Sequence, residues 1–220
     1  MIGCKHFLWL HVMKTGGQWL RQAVLPQFPP RWGIVHVNQH VTLERALSEH
    51  PSLKGNPTWC HVRNPWDWYR SMFTFMKQHW EDKTGGYILP RQQWGQHCAV
   101  WDYRFKHGWS FADYLHSCHA GELSNEHGQS FSHHFRHVGG FDVDHVVRHE
   151  RLRAGTEAML QRLCGPLPAP LLQALRQEAP RNTSRHRPTP AYYTPELIEV
   201  VRELDREIID RFGYEPPKLH

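Results

Sequence analysis

The chain has 220 residues, enough for one domain with a sizeable hydrophobic core. A hydrophobic content of 40% and a charged content of 21% exclude a disordered polypeptide, and the longest apolar run, Phe7 to Leu10, is too short for a membrane span or a signal peptide. The net charge of +5, with 19 of the 26 basic residues arginine, points to an anionic ligand, because guanidinium forks grip phosphate or sulfate through paired bonds.

The first expected strand covers 5–12 and is apolar enough to be buried on both faces. It runs into Lys14-Thr15-Gly16-Gly17-Gln18-Trp19, where glycines allow close backbone approach and a helix over 17–25 begins. A strand, a Gly-rich turn with a lone Lys, and a helix N-terminus together make an anion cradle. Pro26 and Pro29-Pro30 end that helix, and a second strand is expected over 33–37. Thr42 caps a helix over 43–49, with Glu44 in its first turn, and a third strand spans 57–62. Asn64-Pro65 opens a helix running to about Trp80.

This alternation predicts an α/β fold of three layers, a central parallel sheet flanked by helices in a P-loop-like arrangement. Residues 81–141 change character and are expected to form an insertion or lid over the ligand edge of a single domain covering 1–220, with short helices near 93–104, 110–117 and 128–137. A fourth strand is expected over 144–149, then helices over 150–163 and near 170–178, separated by Gly165-Pro166-Leu167-Pro168. Residues 180–190 form a basic loop, and Thr194 caps a last helix from Pro195 to Phe212 that Gly213 stops. Leu197, Val201 and Ile208 on its apolar stripe read as core.

The cysteines (Cys4, Cys60, Cys98, Cys118, Cys164) are scattered, without a CxxC pair, so free thiols in a reducing cytoplasm are expected rather than disulfides or a thiolate zinc site. His133, His134 and His137 raise a metal hypothesis, but no HExxH pattern or third ligand accompanies them, and a solvated His-rich helix is the expectation. Of Trp80, Trp94, Trp101 and Trp109, most are expected to pack a small lid core, although any of them could stack on an acceptor ring.

A second anion signature follows the third strand: Arg63-Asn64-Pro65-Trp66-Asp67-Trp68-Tyr69-Arg70-Ser71. Arg63 falls at a strand's carboxyl end, where open α/β sheets bind ligands, and Ser71 lies two turns into the next helix. Asp67 is expected to be structural, holding the turn or pairing with a nearby Arg.

With these two motifs the chain resembles the sulfotransferase superfamily, bacterial and carbohydrate-type members included, which uses 3′-phosphoadenosine 5′-phosphosulfate (PAPS). Lys14-Thr15-Gly16-Gly17-Gln18-Trp19 is similar to that family's 5′-phosphosulfate loop, and Arg63 to Ser71 to its 3′-phosphate motif. Val146-Val147-Arg148-His149-Glu150, Asn182 to His186, Tyr192 to Leu197 and Phe212-Gly213-Tyr214 resemble its later segments. The resemblance implies that Lys14 meets the phosphosulfate and steadies the bridging oxygen as it leaves. The amides of Thr15, Gly16, Gly17 and Gln18, with the Thr15 hydroxyl, would hold the 5′-phosphate, and Trp19 would stack the adenine. Arg63 and Ser71 would bind the 3′-phosphate, with Arg185 a further candidate. A general base near neutral pKa is needed, and the family places it just after the second strand, where His36 and His40 lie. His40 is favoured because it falls beyond the strand end, with Glu44 or a lid residue as further options.

The expected activity is transfer of a sulfuryl group from PAPS, without a metal, to a hydroxyl of a saccharide or small-molecule acceptor. Neither nucleic acid nor a membrane span is expected. The competing readings are a P-loop-type kinase using ATP and a non-enzymatic module binding anionic glycan or nucleic acid. The kinase motif Gly-x-x-x-x-Gly-Lys-[Ser/Thr] would need glycine at Leu8 and Met13. The binding module would explain the charge but not two ordered strand–loop–helix sites.

Overall fold

The computed structural model describes residues 1–38, 41–84, 104–105, 107–123, 130–179 and 186–219. In chain order the strands are β1 (Ile2–Cys4), β2 (Phe7–Leu10), β3 (Val35–His36), β4 (Thr58–Val62) and β5 (His145–Arg148). The helices are α1 (Gly17–Trp19), α2 (Leu43–Glu49), α3 (Pro65–Thr84), α4 (Phe111–His119), α5 (Phe131–His137), α6 (Leu152–Cys164), α7 (Ala169–Gln177), α8 (Pro195–Leu204) and α9 (Arg206–Phe212). They group into two compact units, Met1–Arg63 with Phe135–Thr183, and Asn64–His134 with Ser184–His220. No helix among the described residues is long and apolar enough to cross a membrane.

The first unit is built on a five-stranded sheet in the order β3-β1-β2-β4-β5. β2, β4 and β5 are parallel, with Trp9 opposite Trp59 and Cys60 opposite Val146. The expected all-parallel sheet is corrected on its other side. Lys5-His6 turns the chain so that β1 and β2 form an antiparallel hairpin, and β3 joins β1 antiparallel as a two-residue strand. The apolar run Phe7–Leu10 is β2 alone, shorter than the strand expected over 5–12, and β1 is an additional strand before the polar Lys5-His6 pair that the expectation did not include.

Aromatic side chains fill the core: Phe7, Trp9, Trp19, Phe28, Trp32 and Trp59 pack with Leu160, Leu171 and Leu175 from α6 and α7. His61 lies fully buried among them. Its Nδ1 accepts the Trp9 indole N–H at 3.2 Å, so its Nε2 carries the proton and donates to Thr156 Oγ1 at 2.9 Å. Burial, then repulsion from His149 and His11, lowers the His61 pKa to about 3, so the ring is neutral.

The expected helix over 17–25 is a composite: the α1 turn, a π-helical stretch Leu20–Val24, and a 3₁₀ turn Leu25–Gln27 that contains Pro26. α2 matches its expectation, with Thr42 Oγ1 accepting the Arg45 N–H at 3.2 Å. The helix expected over 150–163 begins as a 3₁₀ turn, His149–Arg151, and α7 follows the Gly165–Pro168 break. Residues 93–103, where another short helix was expected, and most of the basic loop, 180–185, lie outside the described residues.

In the second unit Asn64 Oδ1 accepts the Trp66 N–H at 3.0 Å and starts α3. The Tyr193 hydroxyl donates to the Trp66 carbonyl at 2.7 Å, and Asp67 accepts from Arg70 at 3.3 Å and from Thr189, so Asp67 is structural as expected. Ser110 and Asp113 form a reciprocal capping box at the start of α4. The last helix is not continuous as the sequence predicts: it breaks between α8 and α9 at Asp205, which is fully buried. There the carboxylate accepts the Ser132 N–H at 2.5 Å and the Tyr69 hydroxyl, and Asp205 itself departs from helical geometry at φ −125°, ψ 26°.

Burial raises the Asp205 pKa from 3.8 to about 6, against the opposing effect of the Ser132 and Tyr69 hydrogen bonds. The folded state thus holds this proton more tightly than the unfolded chain does. The stabilisation is complete below the unfolded pKa and is lost as pH rises through about 6. Asp205→Asn keeps the shape and the carbonyl acceptor, so it is expected to flatten the pH dependence of stability over this interval. Above it, urea unfolding should show a gain approaching about 3 kcal/mol.

Candidate functional site

The site of interest in the first unit is the turn after β2, beside the carboxyl end of its parallel neighbour β4. Thr15 Oγ1 donates to the Val12 carbonyl at 2.8 Å and closes the turn on itself. Lys14 then takes φ +60°, the left-handed region that a side chain rarely occupies, and Gly16 follows at φ +92°. Gly16 has a second reason to lack a side chain, because a Cβ there would lie 2.7 Å from Leu152. At Gly17 a Cβ would lie 2.2 Å from the His11 imidazole. The chain then enters α1 with no side-chain cap.

Arg63, the residue after β4, donates from Nη1 to the Lys14 carbonyl at 3.0 Å. This bond brings together the two motifs singled out by sequence, forty-nine residues apart, and fixes the left-handed turn from outside it. Gln18 is partly exposed and accepts from Gln22 at 3.1 Å. His36 lies exposed on β3, paired with Ile2.

Two expected roles meet a different local geometry. The Thr15 hydroxyl is buried and already committed to Val12. Trp19 is 2% exposed and belongs to the core cluster, so its ring packs instead of facing a ligand. Ser71 sits nearly buried in α3, within the second unit. His40 and Arg185 lie outside the described residues, as do Trp94 and Trp101.

In the second unit a cleft of about 890 Å³ is lined by Phe73, Lys77, Trp109, Phe111, Arg187 and Tyr192. Arg104 covers the face of Trp109 at 4.7 Å, and Phe105 and Tyr114 meet the ring edge-on. Trp109 is therefore part of the aromatic packing around α4. His133 and His137 are exposed, whereas His134 is buried near Trp68. Among the described residues no group of His, Cys, Asp or Glu could hold a metal ion.

Sequence reasoning did not single out His11 or Leu152, the residues that shape the turn. A histidine two residues before the turn at the end of a buried strand is a visible signal for the first. Leu152 arrives from 136 residues away, and nothing local announces it. Comparison with family models, curated proteins and solved structures finds no match for this chain.

Gly17→Ala is expected to destabilise the protein by about 1–3 kcal/mol through overpacking against His11. Combining it with His11→Ala should return part of that loss, so the double variant is more stable than the two single changes predict by addition. Additive losses in urea unfolding would mean that the imidazole does not set the turn.

Proposed function

We propose that the chain is a PAPS-dependent sulfotransferase, transferring a sulfuryl group to a hydroxyl of a saccharide or small-molecule acceptor on a P-loop-like α/β scaffold. The observation that carries this reading is the hydrogen bond from Arg63 to the Lys14 carbonyl. It brings Arg63, the first residue of the 3′-phosphate-like motif, beside the 5′-phosphosulfate-like turn in the first unit, which supports one nucleotide spanning both.

The residues present fit the phosphate-binding part of such a donor. The helical run starts at Gly17 without a side-chain cap, at an end whose partial positive charge favours an anion, and Lys14 adds a full positive charge beside it. The Thr15 hydroxyl serves the turn instead of the ligand, and the adenine must be held by groups other than Trp19. PAPS supplies the activated sulfuryl group.

The acceptor oxygen forms a bond to sulfur as the bond from sulfur to the 5′-phosphate oxygen breaks, releasing 3′-phosphoadenosine 5′-phosphate. Lys14 and the turn amides stabilise charge developing on that phosphate oxygen, and because Arg63 already holds the turn little reorganisation is needed. The acceptor proton passes to a histidine, His40 or His36, both beyond or on β3.

Thermal unfolding with 3′-phosphoadenosine 5′-phosphate and with ATP tests the donor. The first is expected to raise Tm well above the second, since ligand binding to the folded state alone stabilises by about 2.7 kcal/mol at a hundred times Kd. Equal shifts from ATP, or none from either nucleotide, would refute the reading. Lys14→Ala and Arg63→Ala should each reduce the shift. His40→Ala should leave it intact while abolishing turnover of labelled PAPS, and full turnover by that variant would move the base role to His36.

A further inference from the structure

β5 is the outer strand of the first unit's sheet: among the described residues it pairs with β4 on one side and with no strand on the other. An edge of this kind presents unpaired backbone N–H and C=O groups, a template for another strand. Beside it runs a cleft of about 390 Å³, formed by β5 and α6. Gly155 brings the two elements close, since a Cβ there would lie 2.6 Å from Val147.

The lining is unusual in its charge. Arg148, Arg151 and Arg162 are all exposed, and among the described residues no carboxylate lines the cleft. Arg151, Gly155, Ala158 and Arg162 recur at helical spacing, so two cations flank a stretch of small residues along one stripe. The acid nearest on α6, Glu157, is held by Arg176 through two hydrogen bonds, of which the Arg176 Nε bond measures 2.9 Å, so it does not neutralise the stripe.

We propose that β5 and this arginine-lined cleft form a docking edge for an extended acidic peptide segment of a partner protein, which joins the sheet as an additional strand. The edge supplies the backbone hydrogen bonds, and the small residues leave room for alternate side chains of the added strand. Arg151 and Arg162 select carboxylates at those positions, where a guanidinium fork can make paired bonds. A second copy of this chain is a poor occupant, because pairing β5 with β5 would set the two arginine clusters against each other. The arginines also guard the edge against such self-pairing, but that role alone would not call for cations along α6. This inference does not depend on the donor nucleotide.

Fluorescence anisotropy with the full chain tests it. The probes are a labelled octapeptide of alternating Glu and Val, the same peptide N-methylated at every second residue, a Lys–Val counterpart and a heparin octasaccharide. The Glu–Val peptide is expected to bind, its N-methylated form at least about tenfold more weakly, and the Lys–Val peptide not at all. Arg151→Glu combined with Arg162→Glu should weaken Glu–Val binding by about tenfold or more. If that variant fails to fold, the comparison of peptides on the unaltered chain still decides. No binding of the Glu–Val peptide, equal affinity for the methylated peptide, or tighter binding of heparin than of the peptide would each overturn the proposal, the last two by reducing the cleft to a diffuse anion surface.

Discussion

The hydrogen bond from Arg63 to the Lys14 carbonyl is the constraint on which the candidate site rests. A non-glycine residue held at positive φ costs about 1–2 kcal/mol, and a hydrogen bond from a charged donor contributes about 1.5–3 kcal/mol. The two are of similar size, so the bond from Arg63 is enough to offset the strain of the left-handed turn. That partner is available because β2 and β4 are adjacent parallel strands whose chains leave the sheet at the same end. The turn is further shaped by van der Waals limits: the His11 ring stands where Gly17 would carry a Cβ, and Leu152 does the same for Gly16. A tertiary contact, a buried imidazole and a leucine from a distant helix together fix the shape of this turn.

Each unit also contains a buried titratable group, and the two act in opposite directions. His61 is kept neutral by burial, so its contribution to the first unit is lost as pH falls below the ordinary histidine value of 6.5 toward about 3. Asp205 is kept protonated by burial to about 6, so its contribution to the second unit is lost as pH rises to that value. Both groups have hydrogen-bond partners in elements far away in sequence, Thr156 for His61 and Ser132 for Asp205. Buried polar groups of this kind are expensive unless partnered, which ties the packing of α6 to β4 and that of α5 to the last helices.

The excess of arginine serves more than one purpose. Arg63 organises a backbone turn, and Arg70, almost fully buried, pairs with Asp67 inside the second unit. Arg153 donates to the Arg176 and Glu178 carbonyls, while Arg176 binds Glu157. Arg148, Arg151 and Arg162 stand exposed beside the outer strand β5. A net charge of +5 therefore does not describe one anion site; it sums structural cations and a separate surface cluster.

Local chemistry determined a good deal. The Thr42 and Thr194 caps, the Gly165–Pro168 break, the strand at Thr58–Val62 and the Gly-rich turn could all be read from the residues themselves, because caps, breaks and turns depend on neighbours within a few positions. The positions of Lys14 and Arg63 after β2 and β4 were likewise legible, whereas the hydrogen bond between them was not. The antiparallel β1–β2 hairpin was not, since three residues before Lys5-His6 are too few to show a strand period, and only pairing with β2 and β3 makes Ile2–Cys4 a strand. The break at Asp205 was hidden for a related reason: the apolar stripe continues past it, and only the Tyr69 and Ser132 groups brought in by other helices explain it. Composition could not say whether Trp19 would face a ligand or the core, because the same indole suits both. Close packing of Trp9, Trp59 and the α6 and α7 leucines around it decided that question.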